Sequence, residues 1–140
     1  MEKEEENSGG SGIVSLVLQY LDFATQNPEK WLNLLHNNIV LEFPYAESAG
    51  LPRFLAGKEM IQKSTADFLG MVPGIRFNNP EVFPGLNPHQ AFATYGVKVL
   101  VPATNKTYEQ QYIAVFTEQD GQIVHMTEYY DPTKLNAAFQ

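Results

Sequence analysis

The strongest candidate for chemistry in this chain is one carboxyl group in apolar surroundings. "QIVHMTEYYDP", Gln122 to Pro132, is β-branched and aromatic up to Tyr130 and reads as a strand. Side chains alternate along a strand, so Val124, Met126, Glu128 and Tyr130 share one face. That face has a buried character, and Glu128 sits in its middle. Desolvation disfavours the charged form of a carboxyl group and raises its pKa, as suits a general acid or base near neutral pH. The competing reading is a carboxylate satisfied by tyrosine or backbone donors, or a strand end left in water. Tyr20 is the second candidate. It lies in the centre of an apolar helical stripe, where a phenol hydroxyl needs a partner; the competing and favoured reading is an ordinary tyrosine of an amphipathic core.

Asp120-Gly121 between two strand-like segments is a hairpin signal and sets a register. Gln119 then faces Gln122, and Ile113 faces Glu128. In this register Gln111, Ile113 and Val115 share the face of Met126, Glu128 and Tyr130, which makes Gln111, Ile113, Met126 and Tyr130 the expected lining of a substrate site. The opposite face would carry Tyr112, Phe116, Ile123, His125 and Tyr129. An aromatic, amphipathic surface of this kind suits an interface, so a homodimer through it is expected. Glu42 alternates with Leu41 and Phe43, and solvent is its expected surrounding. His36, His89 and His125 are scattered without paired spacing and give no metal signature. No phosphate-binding glycine loop and no Ser/His/Asp pattern occurs. No cofactor is expected.

The elements that must position these groups are legible in outline. Ile13, Leu16, Val17, Tyr20, Leu21 and Ala24 follow helical spacing. "NPEKWLNLL" supplies a capping Asn27, Pro28 at the first helical position, and an apolar side of Trp31, Leu32 and Leu35. "VLEFPYA" reads as a short strand stopped by Pro44, and "GKEMIQKSTADFLGMVPG" as a third helix. From Ile75 onward the chain is mostly strand, followed by a tail or short helix at "DPTKLNAAF". Helices first and antiparallel strands after them predict an α+β domain whose curved sheet forms a cone around a pocket.

At 140 residues with 44% hydrophobic content, one domain is expected. The net charge is −7, and "MEKEEENSGGSG" holds four Glu and one Lys of it. Residues 1–12 read as a disordered acidic, Gly/Ser-ended tail, and 13–140 as the domain. An acidic body with two arginines argues against nucleic acid as a partner. No apolar run approaches the roughly 20 residues of a membrane helix, so no membrane partner is expected. There is no cysteine and no secretory pattern at the N-terminus, and a cytoplasmic location is the expectation.

The order of elements, with "LVLQYLDFA", "LEFPYA", "GKEMI" and "GQIVHMTEYYDP", resembles the SnoaL-like branch of the nuclear-transport-factor-two-like superfamily over Ile13 to Pro132. The resemblance implies a conical α+β fold, a homodimer, and a pocket between sheet and helices for a small apolar molecule. The fold also serves isomerases, polyketide cyclases, epoxide hydrolases, dehydratases and non-catalytic binding modules, so it does not fix the function. SnoaL-like cyclases carry an acid/base aspartate, and phenazine-biosynthesis A/B proteins a glutamate, where this chain has Glu128. Ketosteroid isomerases place an oxyanion-binding tyrosine where Tyr20 stands; that enzyme is a standard example of this chemistry. The implied catalytic pair is Glu128, moving a proton, and Tyr20 or Tyr130, hydrogen-bonding an oxyanion. Departures matter equally. Phe43 stands where those isomerases have their catalytic aspartate, and Ile113 where they have a protonated one, which leaves Phe43 as a pocket-wall residue. Lys58 replaces the histidine of the phenazine proteins. Nothing in the sequence sets Arg53 or Arg76 beside two aspartates, as an epoxide hydrolase would need.

Overall fold

The computed structural model describes residues 8–140. Its elements are α1 (Ser8–Gln26), α2 (Pro28–Asn33), β1 (Leu35–Glu42), β2 (Phe54–Ala56), α3 (Lys58–Met71), β3 (Asn78–Pro84), β4 (Gln90–Val101), β5 (Lys106–Gln119), β6 (Gln122–Tyr129) and α4 (Pro132–Phe139). The six strands form one open sheet in the order β2-β1-β6-β5-β4-β3. β1 and β6 run parallel, and every other pairing is antiparallel. The architecture is α+β, with the helices on the inner face of a mixed sheet. None of the described helices is long and apolar enough to cross a membrane.

Local chemistry accounts for the helix boundaries. Asn27 Oδ1 accepts the Lys30 N–H at 3.2 Å, and Pro28 opens α2. Asp131 Oδ1 accepts the Thr133 N–H at 2.9 Å, and Pro132 opens α4. The stripe Ile13, Val17, Tyr20, Leu21 and Ala24 is buried, as its spacing requires. Leu35, expected on the side of α2, opens β1 instead. It pairs with Ile123 and is completely buried there, so strand pairing overrides local helix preference. The expected tail boundary also differs. α1 begins at Ser8, five residues before Ile13, because lengthening a helix costs less than nucleating one. The rest of that expected tail, residues 1–7, lies outside the described residues.

One irregularity changes the register of the hairpin. The Asp120-Gly121 turn has positive φ at both residues, 56° and 79°, and Gln119 faces Gln122 as expected. Glu118 then pairs with Ile123, but Thr117 pairs with His125. Val124 is left over as a bulge in β6. Beyond it Ala114, not Ile113, faces Glu128, and Phe116 faces Met126. The inward face of β5 is therefore Tyr108, Gln110, Tyr112, Ala114 and Phe116, all buried.

Two expectations are corrected by this shift. Gln111 and Ile113 point away from Glu128, and Ile113 is 54% exposed on the outer face. Tyr112, Phe116 and Ile123, expected at a dimer surface, belong to the core. The outer face keeps His125 and Tyr129, as expected, and carries Phe92 and Ile113 with them.

The register is testable by truncation. Phe116→Ala should cost about 3–5 kcal/mol, because it empties a fully buried site. Ile113→Ala should cost under about 1 kcal/mol. Urea unfolding of both variants measures the difference; equal costs would contradict the bulged register.

Candidate functional site

The two alanines Ala93 and Ala114 pair directly across β4 and β5, and both are fully buried. Their small side chains form a low floor on the inner face of the sheet. Tyr95 on β4 and Glu128 on β6 meet over that floor, and the Tyr95 hydroxyl donates to Glu128 Oε2 at 2.5 Å. Aromatic rings hold Tyr95 in place. It stacks on Tyr112 with centroids 5.2 Å apart and an interplanar angle of 21°. Phe77 sets its edge against Tyr95 at 4.9 Å and Tyr112 at 5.9 Å.

A second string of polar groups fixes Tyr112. Its hydroxyl lies 2.8 Å from that of Tyr108, and Gln110 Nε2 donates to Tyr108 at 3.3 Å. The same amide nitrogen donates to the Asp131 carbonyl at 2.9 Å, and Gln110 Oε1 accepts the Asp131 N–H at 3.1 Å. The buried Gln110 thereby ties the tyrosine row to the N-cap of α4, with both ends of its amide satisfied.

Burial pushes the Glu128 carboxyl up from the ordinary 4.5 to about 7, with the Tyr95 hydrogen bond acting against that rise. Around it, burial drives Tyr20, Tyr95 and Tyr112 well above the ordinary phenol value, with the Glu128 charge adding to each. Tyr130 reaches about 12 through burial and then the Glu128 charge. All these phenols stay protonated donors at neutral pH, while Glu128 divides between acid and carboxylate.

Tyr20 packs edge-on against Phe116 at 5.0 Å and Trp31 at 5.7 Å. The Trp31 indole N–H works against the rise in the Tyr20 hydroxyl pKa, so the two donors are neighbours. Trp31 Nε1 is the one fully buried side-chain nitrogen or oxygen without a hydrogen-bond partner among the described residues. Glu128 Oε1 also has no such partner among them, and therefore retains some accessible surface.

The other expected site residues separate into two groups. Met126 is buried beside Leu41 and Phe116. Phe43 packs on the core one residue past the last β1–β6 pair, Glu42 with Thr127. These two stand with Glu128 and Tyr20 on the inner side. Gln111, Ile113 and Tyr130 line a different feature, a cleft of about 670 Å³ at the open end of β6, with Tyr45, Tyr112 and Tyr129. Tyr112 and Tyr130 belong to both places, since both lie in the field of Glu128. A more polar hollow of about 400 Å³, with Asn78, Lys98 and Glu109 among its walls, lies farther along the sheet. At its floor Gln111 crosses Gly96, where a Cβ would come within 2.8 Å of the amide nitrogen. Glu42, expected in solvent, instead pairs with Arg53 at 2.7 Å, and His125 lies 3.9 Å from its other oxygen. No group of metal-binding side chains occurs among the described residues.

Tyr95, Tyr108 and Gln110 escaped the sequence reading, and Tyr112 was placed on the wrong face. A signal for Tyr95 exists in "AFATYGVK". Phe92, Thr94, Gly96 and Lys98 alternate with Ala91, Ala93, Tyr95 and Val97, and the lysine marks the first set as outer. That leaves a tyrosine on the inner face, in need of an acceptor.

Four helices laid over one face of an open six-stranded mixed sheet define an α+β fold of the cone-shaped class. Residues 17–126 match the SnoaL-like domain model, and the chain belongs to that family. It is 31% identical over 111 residues to the uncharacterised protein YesE of Bacillus subtilis, covering 79% of this chain and 75% of that one. Among solved structures it resembles a Bacillus subtilis protein provisionally designated an isomerase, with a TM-score of 0.83 and 26% identity over 92% of this chain and 93% of that one. A phenazine biosynthesis-related protein of Pseudomonas aeruginosa shares the fold with a TM-score of 0.80 and 19% identity, over 96% and 89% of the two chains.

Tyr95→Phe removes the donor to Glu128 and keeps the ring. The carboxyl should then titrate above about 7, since the hydrogen bond holds it down. Stability should drop by about 1–3 kcal/mol at neutral pH, where a buried carboxylate loses its partner. Carbon NMR of the Glu128 carboxyl and urea unfolding measure the two effects. A lower carboxyl pKa in the variant would contradict the assigned bond.

Proposed function

We propose that this protein binds a small apolar carbonyl compound and catalyses cofactor-independent proton transfer on it, with Glu128 as base and then acid. The observation that carries this reading is the half-buried Glu128–Tyr95 pair, whose carboxyl group is pushed up to about 7. The carboxylate takes a proton from the carbon next to the carbonyl. The C–H electron pair moves into the new carbon–carbon double bond, and the carbonyl oxygen becomes an enolate oxygen. Tyr20, which stays protonated, donates a hydrogen bond to that oxygen. Glu128, now the acid, returns the proton to the same or a conjugated carbon, and no proton is lost overall. Tyr95 stabilises the carboxylate between these steps.

A second reading is non-catalytic binding in the same place. It is favoured by one fact: no second carboxylate and no histidine contributes to the shift of Glu128. Hydrogen–deuterium exchange separates the two. With 1-indanone in heavy water, the wild type should accelerate exchange at the carbon beside the carbonyl, and Glu128→Gln should not. Binding without acceleration would leave the binding module.

The pH dependence of stability follows from the raised carboxyl. Its folded pKa, about 7, exceeds the ordinary 4.5, so the neutral form favours folding and ionisation opposes it. Stability should be greatest below about pH 4.5, as far as this group is concerned, fall through about pH 7 and level off above. The full ionisation cost is on the order of 3 kcal/mol. Glu128→Gln should lack this loss and should be the more stable protein at pH 8. Urea titrations at pH 5 and pH 8 decide it; a variant destabilised at pH 8 would mean that the carboxylate is structural.

The proposed assembly is a homodimer, now through the outer face around Phe92, Ile113 and Tyr129. Phe92 and Ile113 are 45% and 54% exposed, an apolar patch costly to leave in water. Light scattering should give the mass of two chains, and Ile113→Asp should reduce it to one. A wild-type mass of one chain would remove the dimer. A cytoplasmic setting fits a chain without cysteine.

A further inference from the structure

Four tyrosines stand around the cleft of about 670 Å³ at the open end of β6. They form two edge-to-face pairs. Tyr45 meets Tyr129 with centroids 5.8 Å apart at 65°, and Tyr112 meets Tyr130 at 6.1 Å and 67°. In such a pair one ring gives only its edge, so its own faces stay uncovered by its partner. Tyr45 and Tyr129 are exposed as well. A single exposed aromatic is ordinary, but two of them joined to two more around one hollow mark a binding surface.

The charges at this cleft have one sign. Asp131 is its one charged side chain, and no lysine, arginine or histidine lines it. The Thr133 hydroxyl and N–H both donate to Asp131 Oδ1 and hold the carboxyl below its ordinary value. Oδ2 accepts no hydrogen bond among the described residues. The full charge of Asp131 outweighs the roughly half positive charge at the start of α4. Lys134, three residues further on, does not line the cleft. Behind the same wall Tyr112 stacks on Tyr95, which donates to Glu128. An anion would meet these acids with no cation to offset them. A cation meets both a counter-charge and the negative faces of aromatic rings, and an alkylated ammonium has little hydration to lose.

We propose that this cleft binds an alkylated ammonium group, with the tyrosine rings as its walls and Asp131 as its counter-ion. The site is separate from the proton transfer described above and does not depend on it. Ile113 and Tyr129 also belong to the face assigned to the dimer, whereas Tyr45, Tyr130 and Asp131 do not, so a second copy of the chain is the rival occupant.

Ile113 reports on occupancy, because it lines the cleft while the other five isoleucines are buried. Isoleucine methyl NMR of the full-length protein at pH 7 follows titration with choline and with 3,3-dimethylbutan-1-ol, which has the same shape and no charge. Choline should move the Ile113 methyl signal saturably and leave the buried five in place, and the neutral alcohol should bind at least about fivefold more weakly. Tyr45→Leu and Tyr129→Leu should each weaken choline about threefold to tenfold, while Tyr129→Phe, which keeps the ring, should bind nearly as the wild type does. Asp131→Asn retains a capping oxygen for α4 and should weaken choline about threefold, leaving the alcohol unchanged. Affinity for choline independent of protein concentration is the further expected result. No saturable movement of Ile113 at tens of millimolar choline overturns the site. So does equal affinity for the alcohol, undiminished binding in both leucine variants, or the same response to sodium chloride. Choline affinity that falls as protein concentration rises would give the cleft to a second copy and overturn the proposal too.

Discussion

Ile123 and Glu128 lie five residues apart in β6, and both are turned into the core. A regular strand cannot do this, because an odd spacing places two side chains on opposite faces. The extra residue Val124 resolves the conflict. Before it, Ile123 seals the closed end of the hairpin against Leu35; after it, Met126 and Glu128 continue on the same side. Everything at the site depends on that bulge. Without it, β5 would present Ile113 opposite Glu128, and Tyr112 and Phe116 would face outward. The tyrosine wall that holds the carboxyl would not exist.

The wall explains why an acid can be kept inside at all. Burying an ion among rings is unfavourable, and one strong hydrogen bond from Tyr95 offsets part of that cost. The remainder appears as a carboxyl group near pH 7. The row from Tyr112 through Tyr108 and Gln110 to Asp131 contributes differently. It carries no charge, and it anchors the ring on which Tyr95 stacks to the start of α4. Positioning and titration are thus divided between two sets of residues, a rigid polar row and a single titrating group.

How much of this was legible depended on how local its cause was. Asn27 with Pro28, the Asp120-Gly121 turn and the stripe of α1 are set by neighbours in sequence, and the sequence reading placed them correctly. The long strands β4, β5 and β6 and the inward direction of Glu128 were also readable. The bulge at Val124 was not. Val124 is β-branched and carries no glycine signal, and the register shift shows only in the pairing of β6 with its neighbours. From that one omission followed the inverted face of β5, and with it the misplacing of Gln111 and Ile113. Tyr95 was missed for another reason. Its partner is more than thirty positions away, a contact that only the folded sheet creates.

The division of labour also bears on what the site can accept. A base that must work near neutral pH needs a poor dielectric, and a poor dielectric makes every unpaired charge costly. A second carboxylate would raise that cost, and a cation would pull the carboxyl group down and weaken it as a base. Neutral donors escape both penalties. Phenols driven upward by burial remain protonated beside the carboxylate, and an indole N–H cannot titrate in this range at all. A polar interior built from tyrosines and one tryptophan around a lone glutamate is therefore self-consistent. It holds the carboxyl group near neutral pH and keeps the surrounding phenols protonated.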